Sequence, residues 1–299
     1  MPPRRSWTRP RACGTLRSDF AAIILTHGRA GSVKTVDTLR RCGYTGRLIV
    51  LIDDEDEQAG EYERVYGDGL RVFRKADYVR SSQTICPSSD VRRKTILYAR
   101  NAAFDVAKAE GCRFFVELDD DYTDFQHRYV EGGKLKTSSV GDLDTVFESM
   151  VRFLERSGAD TMALAQGGDM LGGKGNPAFA HGIKWKRKAM NSFVFSVDCP
   201  LRFQGAVNED VVTYALGGGR GALMLTTMEF MLVQQQTQKA KGGMTDEYLD
   251  DGTFCKSMFA VVARPDCCRI GKVGCSNVRI HHAINWRYAV PKIIREPNR

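Results

Sequence analysis

The chain has 299 residues, of which 42% are hydrophobic and 27% charged, as in an ordinary globular protein. This length allows one large α/β domain or two small ones, and no apolar run approaches the roughly 20 residues of a membrane span. The 44 Lys and Arg residues exceed the 36 Asp and Glu residues, which gives a net charge of +8. The surplus favours a polyanionic partner, either a nucleic acid or a phosphorylated small molecule.

The nine cysteines are odd in number and irregularly spaced, so we expect no disulfide framework and a reducing, cytoplasmic environment. No apolar signal core is found at the amino terminus, so secretion is not expected. Three cysteines, Cys267, Cys268 and Cys275, lie near His281 and His282 in the sequence. The CxxC spacing of structural zinc sites is missing, which favours buried small side chains over a zinc site.

The first 18 residues are basic. They contain five arginines and three prolines, and the first acidic residue is Asp19. This composition predicts a disordered basic arm, which either contacts DNA or has no ligand. We therefore predict an arm over residues 1–18 and a folded α/β domain over residues 19–299.

The first half of the chain is predicted to alternate strands and helices. Apolar runs at residues 20–26, 48–52 and 70–73 predict strands, and apolar residues at helical spacing follow the first of them up to residue 43. The loop between them begins at Thr26 and contains glycine, so backbone N–H groups and a helix N-terminus can meet phosphate there. Arg29 in this loop either pairs with a diphosphate or is an ordinary exposed arginine.

The second predicted strand ends in consecutive acidic residues that begin with Asp53 and Asp54. An acid at this position of a nucleotide-binding α/β unit often binds ribose or base. The alternative is that these acids cap the helix that follows. A long helix predicted over residues 91–110 contains Arg93 and Arg100 on one face, which favours either a phosphate clamp or a solvated basic surface.

An apolar run that begins at residue 114 ends in three consecutive carboxylates, Asp119, Asp120 and Asp121. Because side chains alternate along a strand, Asp119 and Asp121 are expected to point one way and Asp120 the other. Two carboxylates on one side suit Mg²⁺ or Mn²⁺, which usually also holds substrate phosphates. We favour this metal site over a solvated acidic turn, because ligands of open α/β sheets bind at the carboxyl ends of the strands.

The second half of the chain has weaker patterns. Residues 125–139 are polar and contain glycine, which predicts a flexible substrate loop, and apolar residues from 146 to 154 predict a helix on the sheet. Residues 211–216 are predicted to be helical, which places the two preceding acids, Glu209 and Asp210, in the first turn of this helix. These acids either complement the helix dipole or supply a general base to a sugar-sized crevice. The other predicted elements are strands at 161–165 and 191–197, a glycine-dense loop at 167–175, a polar loop at 234–241 and a partly helical segment at 248–263.

These features, in this order, resemble the GT-A nucleotide-sugar glycosyltransferases over residues 19–295. The shared features are Ala99-Arg100-Asn101, the Asp-x-Asp strand end, the Glu-Asp helix start and a late histidine. In detail, Leu-Asp-Asp-Asp-Tyr, Asn-Glu-Asp and His-His followed by Ala-Val-Pro-Lys-Ile look like the TET/JBP-associated glycosyltransferases. Those are phage and eukaryotic proteins thought to add sugars to hydroxymethylated pyrimidines in DNA. The resemblance implies a GT-A (Rossmann-like) mixed sheet flanked by helices, as a single catalytic domain.

The resemblance also implies roles for individual residues. Asp121 would hold Mn²⁺ or Mg²⁺ against the diphosphate, and Asp210, with Glu209 beside it, would face the acceptor hydroxyl. The implied donor-binding residues are Thr26, Arg29, Asp53, Asp54, Arg93, Arg100, Asp119 and Asp120. The implied metal ligands are Asp121, Asp119 and one of His281 and His282.

The implied reaction is metal-dependent transfer of a sugar from a UDP-sugar, with UDP-glucose foremost, to 5-hydroxymethylcytosine or a similar base in DNA. By the same resemblance, the protein would act in the cytoplasm of a phage-infected bacterium, without a membrane partner. Two alternatives stay open. One is a GT-A glycosyltransferase with a non-DNA acceptor, and the other is a nucleic-acid-binding module with a degenerate sugar-nucleotide site.

Overall fold

A mixed β-sheet forms the centre of the fold. The computed structural model describes residues 16–82, 94–166, 175, 182–234, 252–273 and 279–292. The strands are β1 Phe20–Leu25, β2 Arg47–Asp53, β3 Leu70–Phe73, β4 Phe114–Asp119, β5 Tyr122–Glu131, β6 Lys134–Ser139, β7 Thr161–Gln166, β8 Ile183–Lys184, β9 Ser192–Ser196, β10 Met224–Gln234, β11 Cys268–Val273 and β12 Arg279–Ile284. The helices are α1 Lys34–Arg41, α2 Ala59–Tyr66, α3 Lys75–Ser81, α4 Leu97–Ala109, α5 Leu143–Ser157, α6 Glu209–Gly219 and α7 Gly252–Ala263.

The strand order of the large sheet is β3-β2-β1-β4-β9-β7-β10-β5-β6, with β8 paired to β10. The first four strands in this order are parallel, and β9 runs antiparallel to β4. Leu25 at the end of β1 lies opposite both Leu51 in β2 and Asp119 in β4. The carboxyl ends of the parallel strands therefore meet at one edge of the sheet.

Helices cover both faces of the sheet, because the central strands are apolar on both sides. Every residue of β1 is buried, the pattern of a strand inside a parallel sheet. Ile24 belongs to the core that also contains residues of α1 and α5, whereas its neighbour Ile23 belongs to the core with residues of α4 and α6. The predicted α/β class, a mixed sheet flanked by helices, is confirmed.

The C-terminal part of the chain packs on α6. Strands β11 and β12 form a separate antiparallel pair, and α7 contacts both of these strands as well as α6. The rings of Tyr214 in α6 and Trp286 after β12 lie 5.3 Å apart. This packing brings β12, which carries the two histidines, to the helix that carries Glu209 and Asp210.

The prediction of a flexible loop at residues 125–139 is wrong. These residues form the hairpin of β5 and β6, which turns at Gly132 and Gly133, both with positive φ. Strand β10 pairs with β5, so the hairpin extends the sheet. The sequence is polar there because β6 lies at the sheet edge and is mostly exposed, not because the chain lacks regular structure.

Several sequence predictions lie wholly or partly outside the described residues. These are most of the basic arm, Arg93 and the start of its helix, most of the glycine-dense loop and the polar loop after Gln234. Among the helices that are described, none combines the length and the hydropathy needed to cross a bilayer.

Phe147→Ala is expected to lower the free energy of unfolding by about 3–5 kcal/mol, because the buried ring contacts the rings of Phe20, Tyr44 and Phe125. Phe153→Ala in the same helix is the matched control, since Phe153 is 39% exposed whereas Phe147 is 0% exposed. The control should lose less than about 0.5 kcal/mol. Urea unfolding of both variants measures the difference, and equal losses would contradict the packing of α5 on the sheet.

Candidate active site

The candidate site lies at the edge where the parallel strands end. Strand β4 ends at Asp119, and the next two residues, Asp120 and Asp121, form the turn into β5. The strand register places Thr26, which follows β1, and Asp53, which ends β2, at the same edge. The sequence pattern thus located the acids correctly at the strand ends.

Arg100 joins the end of β4 to the start of α6. Its Nη2 donates to Asp119 Oδ1 at 3.1 Å and its Nε to Glu209 Oε1 at 3.1 Å. Its Nη1 lies 3.7 Å from Glu117 Oε2. The arginine is only 2% exposed and its guanidinium lies among carboxylates. The phosphate contact implied for Arg100 stays a prediction.

The residue after this arginine fixes the loop that leads into α6. Asn101 Nδ2 donates to the Phe203 carbonyl at 3.1 Å, and the Phe203 N–H donates to Asn101 Oδ1 at 2.8 Å. The Gln204 N–H donates to Thr213 Oγ1 at 2.9 Å. The guanidinium of Arg100 also lies 5.4 Å from the centre of the Phe203 ring. The Arg-Asn pair in α4 therefore orients both the acids and the loop before them.

Several carboxyl groups lie at this edge of the sheet around the single guanidinium of Arg100. Glu117 is fully buried and its carboxyl oxygens have no hydrogen-bond partner in the described structure, so burial raises its pKa well above the ordinary value. Burial also raises the pKa of Asp119 to about 7. Burial and the adjacent Asp120 raise the pKa of Asp121 to about 6. A divalent cation would relieve this repulsion, so the donor set suits Mn²⁺ or Mg²⁺.

Asp120 faces the loop after β1. Its two oxygens accept hydrogen bonds from Thr26 Oγ1 at 2.7 Å and Arg29 Nη1 at 2.8 Å. The Tyr62 hydroxyl accepts from the Arg29 backbone N–H at 2.8 Å and lies 3.0 Å from Thr26 Oγ1. Three implied donor-binding residues, Thr26, Arg29 and Asp120, are thus brought together and hold each other in position.

Asp53 and Asp54 both connect to the start of α3. Asp53 lies 2.9 Å from His27 Nδ1 and accepts a hydrogen bond from Lys75 Nζ at 3.1 Å. Asp54 accepts from the backbone N–H of Lys75 at 2.9 Å. The hydrogen bond with Asp53 raises the pKa of His27. Neither acid caps α2, the helix that follows β2, because the N-cap position before Ala59 is occupied by Gln58, and no side-chain hydrogen bond caps this helix.

Asp210 is buried in the first turn of α6, as the sequence predicted for this helix. Its Oδ1 accepts from the Val211 N–H at 2.7 Å. Burial and the neighbouring Glu209 raise its pKa, whereas Lys256 in α7 acts in the opposite direction. A carboxylate with a raised pKa holds a proton better near neutrality, which is what a general base requires.

The late histidines approach the same helix from β12. His282 Nδ1 lies 3.4 Å from Asn208 Nδ2, and the His281 and His282 rings are 4.1 Å apart. Burial lowers the pKa of His282 to about 3, so its imidazole is neutral, the form that binds metals. Within the part of the chain that the structure describes, no three His, Cys, Asp or Glu residues form a ready metal cluster. A cation held by Asp121 would therefore need further oxygen ligands, such as those of a diphosphate.

Three residues near the site were not assigned a role from the sequence. Glu117 is a single acid within an apolar strand, and Lys256 is the one charged residue of α7. A lone charge in an otherwise apolar element was the available signal for both. Asn208, with φ of 59°, has the left-handed conformation that asparagine tolerates better than most residues.

The cysteines at the C-terminal end do not form a zinc site among the residues described. Cys267 and Cys268 are buried and their Sγ atoms lie 3.7 Å apart, while Cys275 is outside the described ranges. Their pKa values are raised by burial, which favours the uncharged thiol over a metal-binding thiolate.

Residues 20–243 match the sequence profile described as TET-Associated Glycosyltransferase. A comparison with curated protein sequences gives no match. Among solved structures, the chain is similar to Staphylococcus aureus TarS 1-349, with 12% identity, a TM-score of 0.41 and coverage of 74% of this chain and 61% of that one. It is also similar to the mannosyltransferase PcManGT from Pyrobaculum calidifontis, solved with GDP-Man and Mn²⁺, with 12% identity, a TM-score of 0.45 and coverage of 76% and 59%. The chain thus spans about three fifths of the length of each.

Arg100→Met is expected to lower the free energy of unfolding by about 3–5 kcal/mol, because it leaves the partly buried carboxylates of Asp119 and Glu209 without their cation. Glu117→Gln should cost much less, since burial already favours the uncharged form of Glu117. The double variant should therefore be about as stable as Arg100→Met alone, which denaturant unfolding measures. A double variant that is clearly more stable than Arg100→Met would contradict the uncharged state of Glu117, and a small loss in Arg100→Met would contradict the role of the arginine.

In the absence of metal, the stability of the protein is expected to fall as pH rises from about 4 to about 7. The pKa values of folded Asp119 and Asp121, about 7 and about 6, exceed the usual 3.8, so the folded chain keeps protons that the unfolded chain has released. Replacing both residues with Asn should flatten this dependence. Thermal unfolding in chelator across that pH range measures it, and an unchanged slope in the double variant would refute the assignment.

Proposed function

Because this chain belongs to the family of TET-associated glycosyltransferases, we propose that it transfers a sugar from a nucleoside-diphosphate sugar to a hydroxymethylated pyrimidine in DNA. One observation carries the proposal. The acidic turn after β4 and the acidic start of α6 meet at the edge where the parallel strands end, with Arg100 between them. The acids of the turn after β4 are suited to the donor, and the acids at the start of α6 are suited to the acceptor.

The donor would bind over the acidic turn. Asp121 and Asp119 would hold Mn²⁺ or Mg²⁺, and a bound cation stabilises the charge that develops on the departing nucleoside diphosphate. Thr26 and Arg29, fixed by Asp120, frame the loop that would approach the diphosphate. Asp53 and Asp54 would contact the nucleoside. UDP-glucose is the first donor to test.

The acceptor would be activated from the start of α6. Asp210 takes the proton of the acceptor hydroxyl as the hydroxyl oxygen bonds to the anomeric carbon and the bond to the diphosphate breaks. Arg100 holds Glu209 by a hydrogen bond, which keeps that second carboxylate in place beside Asp210. His282, neutral and next to Asn208, is the histidine that best fits the late metal ligand.

The charge of the chain supports a DNA acceptor. A net charge of +8 suits contacts with phosphates, which give affinity with little sequence preference. Trp185 is 39% exposed, and Lys186 Nζ lies 4.9 Å from the centre of its ring, a combination that suits a nucleotide base beside a phosphate. A base in a duplex would have to be flipped out to reach Asp210. 5-Hydroxymethylcytosine is the first acceptor to test.

The direct test incubates the protein with hydroxymethylcytosine-containing DNA, Mn²⁺ and a panel of nucleotide sugars, followed by mass analysis of the digested nucleosides. A hexose-sized mass gain on the modified base is the expected result. Asp210→Asn should reduce transfer by roughly 10²–10⁴-fold, because it removes the base. Asp37→Asn, an exposed acid on α1, is the matched control and should transfer normally.

If no sugar is transferred but the nucleotide sugar is still hydrolysed, the assignment as a glycosyltransferase is retained and the DNA acceptor is rejected. Absence of both transfer and hydrolysis would reject the proposed reaction. Normal transfer by Asp210→Asn would reject the assignment of the base.

The metal role is tested by thermal unfolding with UDP and Mn²⁺. The two ligands together are expected to raise the melting temperature of the protein, and a chelator should remove this shift. Asp121→Asn should lose the metal-dependent part of the shift, whereas Asp37→Asn should keep it. A full shift in Asp121→Asn would refute the role of Asp121.

A further inference from the structure

A basic cavity lies at the opposite end of α6 from the proposed catalytic acids. It has a volume of about 520 Å³, within the range of small-molecule sites. The loop after α6, the end of α7 and the segment after β12 form its walls. Its charged or aromatic lining residues are Arg220, Arg264, Asp266, Tyr288 and Lys292.

The cavity has an excess of positive charge. Asp266 is its one acid among the lining residues, and both of its oxygens accept hydrogen bonds from Arg264, at 2.7 Å each. Arg220 and Lys292 have no carboxylate partner among the residues that the structure describes. Two cations thus remain available to an anionic ligand.

An exposed aromatic ring stands beside these cations. Tyr288 is 41% exposed, and Lys292 Nζ lies 5.5 Å from the centre of its ring. The guanidinium of Arg287 lies 5.9 Å from the same ring. An aromatic face with adjacent cations is the arrangement that binds a nucleotide base together with its phosphate.

Glycines at the end of α6 give the cavity its shape. A Cβ atom at Gly218 would overlap the carbonyl of Ala289, and one at Gly219 would overlap the guanidinium of Arg264. Without side chains at these positions, the segment after β12 and Arg264 can pack directly on the helix. Arg264 also donates to the carbonyls of Ala215 and Tyr288, which fixes the walls.

We propose that this cavity binds the backbone of the acceptor DNA at a distance from the modified base. The inference rests on the DNA acceptor proposed above. Asp210 lies in the first turn of α6 and Arg220 directly follows its last residue, a separation of ten residues that corresponds to about 15 Å along a helix. One DNA strand advances about 3.4 Å per nucleotide, so the cavity would contact phosphates about four nucleotides from the base that receives the sugar.

The test measures binding of an unmodified duplex of about 20 base pairs, which has no acceptor hydroxyl, over a series of salt concentrations. The full chain is compared with Arg220→Gln/Lys292→Gln. Loss of two phosphate contacts should weaken binding at low salt by at least about tenfold and reduce the slope of log affinity against log salt by about 1.8. Tyr288→Ala should weaken binding of a single strand of the same length, whose unpaired bases can stack on the ring, with little change in the salt slope, because stacking releases no counterions.

The matched control is Arg64→Gln/Lys108→Gln, which removes two exposed cations near the ends of α2 and α4. It should keep the affinity and the slope of the unmodified protein, and melting temperatures check the folding of every variant. Equal binding by the Arg220/Lys292 variant and the control would overturn the proposal. So would a full chain that does not bind DNA.

The binding test distinguishes a failure of the cavity proposal from a failure of the proposed function. If the Arg220/Lys292 variant binds DNA more weakly but no DNA receives a sugar, the cavity is a DNA site and the proposed acceptor is wrong. If sugar transfer to DNA occurs and the variant binds as tightly as the full chain, the proposed function holds and the cavity proposal fails.

Discussion

The candidate site depends on one buried guanidinium. Arg100 comes from α4, whereas the carboxylates that it contacts come from β4 and α6. A buried cation is stable only with well-placed anions, and buried anions only with a cation, so each element fixes the position of the others. The proposed donor side and the proposed acceptor side are therefore coupled by electrostatics in the absence of any substrate. Because the acids exceed the arginine in number, a divalent cation at this edge would lower the repulsion between them.

The sequence alone predicted the structure correctly where an element is marked by a local pattern of apolar and acidic residues. An apolar run followed by acids predicted both the buried strand β4 and the placement of Asp119 at its end. The apolar spacing of residues 146–154 predicted the buried face of α5, and the start of α6 was correctly placed at Glu209. These predictions succeed because burial and alternation are local properties.

The sequence alone did not predict contacts in which the partner of a residue lies on another helix or strand. Arg100 has the same spacing from Arg93 whether it faces solvent or carboxylates, so periodicity alone left both possibilities open. The β5–β6 hairpin was missed because its strands are polar, and β10 was not predicted as a strand at all. Pairing across a sheet, not the residues of either strand, decides such cases.

The run of glycines at the end of α6 has a consequence for how this helix is stabilised. Each glycine disfavours an isolated helix by about 1 kcal/mol relative to alanine, so Gly217, Gly218 and Gly219 together weaken this end considerably. The same glycines allow Arg264 and the backbone at Ala289 to pack directly against the helix. The last turn of α6 therefore depends on tertiary contacts with residues more than forty positions further along the chain, and not on its own helix propensity.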